Sequence, residues 1–140
     1  MIKIKRIIQK NKKNLADING LLAQWSLNGY QIKNIYFKKL LKQSYVFGMY
    51  DENLLIGTAT LIPLHKLSGL KGSIEHVIID EKYRGQGLGK KLMLNVIAVA
   101  KKMQMETLCL TCEPDRIVAN ILYQNLGFIK KETNFYQLKI

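Results

Sequence analysis

The period of the apolar positions changes several times along the chain, and each change marks an element. Ile2 and Ile4 alternate with lysines, the period of two that predicts a first strand. Between residues 14 and 25, Leu15, Ile18, Leu22 and Trp25 recur at spacings of three and four, a helical stripe. Residues 32–41 predict a second helix, with Ile32, Tyr36 and Leu40 four apart on one face. Tyr45 to Tyr50 reads as a strand, the polar Asp51-Glu52-Asn53 as a turn, and residues 54–64 as the hairpin partner. After a loop containing Gly69 and Gly72, residues 73–79 are mostly apolar on both faces, the pattern of a central strand.

Gly85-Gln86-Gly87-Leu88-Gly89 ends that strand, and residues 90–103 read as a helix in which Leu92, Val96 and Ala100 lie four apart, as do Met93 and Ile97. Residues 107–111 predict another strand. Pro114-Asp115 starts a further helix, with Asp115 its expected cap and Ile117, Ile121 and Leu122 its apolar positions. That helix stops at Gly127, an expected left-handed residue, and residues 128–140 hold one or two final strands. No repeat or linker divides the chain, so residues 1–140 read as one domain of the α/β (α+β) class with a mixed sheet.

Composition narrows the class. The chain has 140 residues, 48% of them hydrophobic and 23% charged, which suits a folded core and excludes disorder. No apolar run is long enough for a membrane span, and lysines alternate with isoleucines at the N-terminus where a secretory signal would be continuously apolar. A cytoplasmic protein without a membrane partner is therefore expected. Two cysteines are too few for a disulfide scaffold. The net charge is +12, and it is lopsided: residues 1–50 hold 10 basic and 1 acidic side chain, residues 51–140 hold 12 and 9. A field of that sign favours anionic partners.

Arg84-Gly85-Gln86-Gly87-Leu88-Gly89-Lys90 lies between a buried strand and a helix. Glycines allow a tight turn and let backbone N–H groups approach a ligand closely. A helix N-terminus adds unpaired donors and partial positive charge, so the junction suits a phosphate or pyrophosphate, with Arg84 and Lys90 adding full charges. The spacing excludes two phosphate binders. A dinucleotide fingerprint starting at Gly85 needs Gly or Ala where Lys90 stands, and one starting at Gly87 meets Leu92. A nucleotide-triphosphate loop ending at Lys90 needs Gly where Arg84 stands and Ser or Thr where Lys91 stands.

The remaining pattern, R-x-x-G-x-G between strand and helix, resembles the acyl-CoA signature of the GNAT superfamily of N-acyltransferases. Ile79-Asp80-Glu81-Lys82-Tyr83-Arg84-Gly85 is similar to that family's strand end, with Glu81 in place of the usual proline. Ala119, Tyr123 and Leu126-Gly127-Phe128 resemble its later motif, so the resemblance covers residues 74–128. It implies a mixed central sheet flanked by about four helices and acetyl-CoA as cosubstrate, with no metal. It further implies that the N–H groups of Gln86, Gly87, Leu88, Gly89 and Lys90, beside Arg84 and Gly85, hold the CoA pyrophosphate. Ile79 and its strand neighbours Val77 and Ile78 would pair with the pantetheine arm through main-chain bonds. Asn120, one turn after Arg116, enters as a further cofactor contact.

Acetyl transfer to an amine requires a proton acceptor for the ammonium, donors for the oxyanion and an acid for the departing thiolate. Glu75 and His76 interrupt the apolar strand, and a carboxylate buried in apolar surroundings is driven toward the range that takes a proton from an amine. Family members often carry a glutamate on this strand, which makes Glu75 the first candidate base and His76 the second. Ile-Glu before an apolar strand is similar to the glucosamine-6-phosphate N-acetyltransferase branch, where an aspartate commonly occupies the place of His76. Neighbouring strand residues face opposite ways, so one of the two is expected at the acetyl group. The resemblance makes Tyr123 the general acid, a phenol that is protonated at neutral pH; its other reading is a core ring against Phe128.

Cys109 and Cys112 lack the second pair or histidine that a zinc site needs and read as core or edge thiols. His65 reads as a solvated loop residue. The resemblance places the acceptor pocket under the first two helices. With Lys12, Lys13, Lys33, Lys38, Lys39 and Lys42 on that segment, the expected acceptor is a small-molecule primary amine that is anionic overall. The alternative is a basic module binding nucleic acid or an anionic membrane, its CoA site vestigial or regulatory; steep salt dependence would mark it. A homodimer stays open.

Overall fold

The computed structural model describes residues 1–26 and 28–140. Its elements follow the order β1 (Ile2–Arg6), α1 (Lys12–Trp25), α2 (Asn34–Gln43), β2 (Tyr45–Asp51), β3 (Leu54–Lys66), β4 (Gly69–Ile79), a 3-10 turn (Glu81–Tyr83), α3 (Leu88–Lys102), β5 (Leu108–Cys109) and α4 (Ile117–Asn125). The five strands make one sheet in chain order; β1 to β4 are antiparallel, and β5 runs parallel to β4. The sheet is therefore mixed, and four helices flank it, as expected.

Each face of the sheet has its own core. On one, Ile18, Leu21 and Leu22 of α1 and Phe37 and Leu41 of α2 meet Val46, Tyr50, Leu55 and Ile78. On the other, Leu92, Met93, Val96 and Ala100 of α3, with Tyr123 of α4, meet Met49, Ile56, Ala59, Leu61 and Ile74. Leu92, Met93 and Val96 are wholly buried. Full burial of such a side chain contributes about 1.5–3 kcal/mol, which fixes α3 against the sheet.

Regular alternation would put Ile74 and Ile78 on the same face, yet they belong to opposite cores. The cause is a bulge. Thr58 is paired with Ile78 and Thr60 with Glu75, so His76 and Val77 together oppose Ala59. His76 takes the left-handed conformation, φ +50°, and the face of every later residue in β4 is switched.

Several expectations are corrected. The inner face of α2 is turned by one residue: Phe37 and Leu41 are buried while Tyr36 is 53% exposed. Ile32 precedes the helix and is held by Asn19, whose Oδ1 accepts its N–H and whose Nδ2 donates to its carbonyl. Gly72 is not in a loop but inside β4, where a Cβ would stand 2.7 Å from Leu108 Cδ2 and Met105 Sδ; glycine lets β5 approach. His65 is exposed, but on β3 rather than in a loop. In α4, Ile117 and Ile121 are exposed and Tyr123 is the buried side chain. Asp115 does not cap with its side chain; its carbonyl accepts from Ile117 N–H at 3.0 Å. Residues 128–140 form no strand, and residues 129–140 are exposed. Two-residue β5 offers too little edge for them to pair with, and a ladder needs a partner as well as a pattern.

Candidate active site

β4 and β5 pair only at Gly72 with Leu108 and at Ser73 with Cys109. β4 continues to Ile79 while the chain beyond Cys109 leaves for α4, so the two strands part. Among the described residues, the β5-side edge of β4 has no strand partner past Ser73. A cavity of about 1140 Å³ occupies the gap, bounded by β4, the glycine turn, residues 111–113, α4 and the end of α1.

The glycine turn forms one wall. Gly85 and Gly87 have φ of +78° and +74°, a region that favours glycine, and a Cβ on either would meet nothing within 4 Å. Gly87 caps α3, whose first internal bond runs from Lys91 N–H to Gly87 O at 3.2 Å. The N–H groups of Leu88, Gly89 and Lys90 therefore have no acceptor among the described residues, and all three residues line the cavity. Arg84 also lines it, its Nε donating to Ile79 O at 2.9 Å, which folds the guanidinium against the end of β4. Gln86 does not line the cavity. Open space, three free amides and two neighbouring cations fit a diphosphate.

Glu75 and His76 both line the cavity, contrary to the strand alternation that would separate them; the bulge at His76 is the reason. Glu75 is half-buried, and its Oε1 accepts a 2.8 Å hydrogen bond from Ser73 Oγ. His76 is exposed, its ring edge-to-face with Trp25 at 4.9 Å between centroids. Val77, Ile78 and Ile79 line the same wall.

Tyr123 faces them from α4. Its ring packs against Phe128, 6.1 Å between centroids, so the core description fits the ring. Its hydroxyl has no protein partner among the described residues and is not closed off from the cavity. Burial pushes the phenol above its ordinary value, with Cys112 adding and Arg116 opposing, so the group stays protonated at neutral pH. Asn120 is a correction: it does not line the cavity, because its Nδ2 donates to the carbonyls of Glu113 and Arg116, both at 2.9 Å, and ties the loop to the start of α4.

Other lining residues carry no motif. Trp25, read as part of the α1 stripe, is 46% exposed in the cavity wall. Gln24 anchors that end of α1: its Nε2 donates to Asp80 Oδ2 at 3.1 Å and its Oε1 accepts from Glu81 N–H at 3.0 Å. The Lys82 N–H, and then Gln24, hold the Asp80 carboxyl below the usual range. A tryptophan at helical spacing gives no sign that its helix ends at a cleft. None of Lys12, Lys13, Lys33, Lys38, Lys39 and Lys42 lines the cavity, so the segment reaches the site through Gln24 and Trp25 and not through its lysines. Cys112 borders it, Cys109 is exposed, and both thiols are free. Among the described residues no helix is long and apolar enough to cross a membrane.

Residues 15–128 match the Acetyltransferase (GNAT) family. The chain belongs to that family. GNAT members use acyl-CoA. A probable glucosamine 6-phosphate N-acetyltransferase of Drosophila melanogaster is 28% identical over 81 residues, 56% of this chain and 36% of that protein. The spermine/spermidine N(1)-acetyltransferase of Bacillus subtilis is 28% identical over 134 residues, 91% of this chain and 87% of that protein. The chain spans half or less of the length of several other curated relatives that it matches. A putative acetyltransferase from Agrobacterium tumefaciens str. C58 shares the GNAT fold, with a TM-score of 0.86 at 18% identity over 98% of this chain and 99% of that one.

Proposed function

We propose that the protein is an acetyl-CoA-dependent N-acetyltransferase that acetylates the primary amine of a small molecule by direct attack in a ternary complex. One observation carries the reading: free amides at the start of α3, a carboxylate on β4 and a protonated phenol on α4 converge on one cavity. When bound, acetyl-CoA supplies an activated carbonyl.

The chain's own groups then have distinct tasks. The amides of Leu88, Gly89 and Lys90, reinforced by the dipole of α3, hold the paired negative charges of the diphosphate, with Lys90 beside them. The unpaired edge of β4 offers main-chain groups at Val77 to Ile79 to the extended arm. Glu75 takes a proton from the acceptor ammonium, directly or through water, while the Ser73 hydroxyl fixes its orientation. His76 packs on Trp25, and we give the base role to Glu75. Tyr123 holds a proton at its hydroxyl oxygen and donates it to the departing sulfur.

The acceptor is anionic overall in this reading. The basic first third acts on it from a distance, as a steering field that salt screens within about 8 Å at physiological ionic strength. Acetyl-CoA should raise the melting temperature, and thiol release should then follow addition of amines. Acidic amines should react faster than spermidine, with a rate that falls as salt rises. A clear preference for spermidine would overturn the anionic acceptor, and the absence of any effect of acetyl-CoA on melting would overturn the whole reading.

A further inference from the structure

Trp25 is the sole tryptophan of the chain, and its place in the fold does not follow from core packing. Ile18, Leu21 and Leu22 of the same helix are at most 5% exposed, whereas Trp25, the last residue of α1, is 46% exposed in the cavity wall. It is held there. His76 packs edge-to-face on it, and Gln24, the residue before it, is bonded in both directions to Asp80 and Glu81 at the end of β4. The uncovered part of the indole is thus a fixed apolar surface open to the cavity. Glu75, adjacent to His76 in the chain, lines the same wall. The lining cations Arg84, Lys90 and Arg116 belong to the glycine turn and to the start of α4 instead.

We infer that Trp25 is the seat of the acceptor: its indole stacks on the ring of a ring-bearing primary amine and so places the nitrogen at Glu75. The inference rests on the acetyltransferase reading above and names its substrate class. A sugar presents a face of C–H groups and an aromatic ring a flat π face or a C–H edge, and an indole packs on any of these. A linear polyamine has no such face and would need acidic groups along its length, whereas Glu75 is the one carboxylate on this wall and Glu113 lines the cavity from the loop before α4.

Because Trp25 is the sole tryptophan, its emission reports on the seat independently of turnover. Titrating glucosamine 6-phosphate, O-phosphotyrosine, the linear phosphoethanolamine and spermidine into the wild-type protein saturated with CoA should give a saturable emission change with the first two and none with the two linear amines; the stronger of the first two identifies the ring. In thiol-release assays, Trp25→Ala should raise KM for that ring amine about tenfold or more, with kcat within about threefold and acetyl-CoA affinity unchanged. Trp25→Phe should recover most of the loss, and it stands in where the alanine variant fails to fold. An emission change without thiol release from any amine supports the seat and counts against transfer. Thiol release with equal emission responses to ring and linear amines, or with a KM shift of the same size for both, overturns the seat and leaves transfer standing.

Discussion

Replacing Gly87 by alanine tests the glycine turn, because the structural cost and the ligand cost of that change separate. Gly87 caps α3 at φ +74° and ψ 10°. An L-residue in that left-handed region costs about 1–2 kcal/mol. No steric cost is added, since a Cβ there meets nothing within 4 Å. Unfolding entropy of about 2 cal/mol/K per residue gives roughly 0.3 kcal/mol/K for this chain, so the melting temperature should fall by about 3–7 °C. The methyl group occupies open space beside the amides of Leu88, Gly89 and Lys90, on the path of the diphosphate in the proposed complex. Acetyl-CoA affinity measured by calorimetry at 20 °C should therefore fall at least about tenfold, the equivalent of about 1.4 kcal/mol. An affinity within about twofold of wild type, alongside the expected drop in melting temperature, would refute the assignment of those amides.

Three further outcomes follow from the same geometry. Glu75→Gln keeps the shape and the Ser73 contact but removes the proton acceptor, so kcat should fall by about 10²–10⁴ with acetyl-CoA affinity unchanged; retention of a tenth of the activity would move the base elsewhere. Tyr123→Phe should lower kcat at least about tenfold. In the wild type, burial raises the phenol pKa above its ordinary value, so activity dependent on the acid form, and the stability that its neutral form contributes, are whole below the ordinary phenol range and decline as pH rises through the folded value; a Tyr123-dependent loss of kcat beginning near pH 8 would contradict this. Gly72→Ala places a methyl 2.7 Å from Leu108 Cδ2 and Met105 Sδ, so it should cost about 1–3 kcal/mol in chemical denaturation while the folded fraction still binds acetyl-CoA; a stability equal to wild type would show that β5 gives way freely.

Much of this site is readable in the chain because its signals are local. Gly85 and Gly87 mark a turn whose left-handed conformation needs no tertiary information, and the helix that follows announces its own unpaired amides. The stripe of Leu92, Val96 and Ala100 identifies the buried side of α3 by period alone. Tyr123 is reachable through its spacing from Gly127. Asn120 shows the limit of such spacing: its amide is consumed by two carbonyls of the preceding loop, and no one-dimensional pattern records where a hydrogen bond goes. The lysines of the first third show it again, since charge is counted along a sequence but acts from a position.

The sequence by itself determined the order of the elements as far as α4, the mixed sheet and the tight glycine turn before α3, because backbone preference and hydrophobic period are properties of neighbouring residues. Tertiary structure alone decided which groups meet. The bulge at His76 depends on the pairing of β4 with β3, and it brings both Glu75 and His76 to one cavity where alternation would have parted them. Trp25 left the core stripe for the cleft because α1 ends beside Asp80, a contact between residues 56 apart. Residues 128–140 stayed unpaired because a strand is stabilised by a partner, and β5 is two residues long.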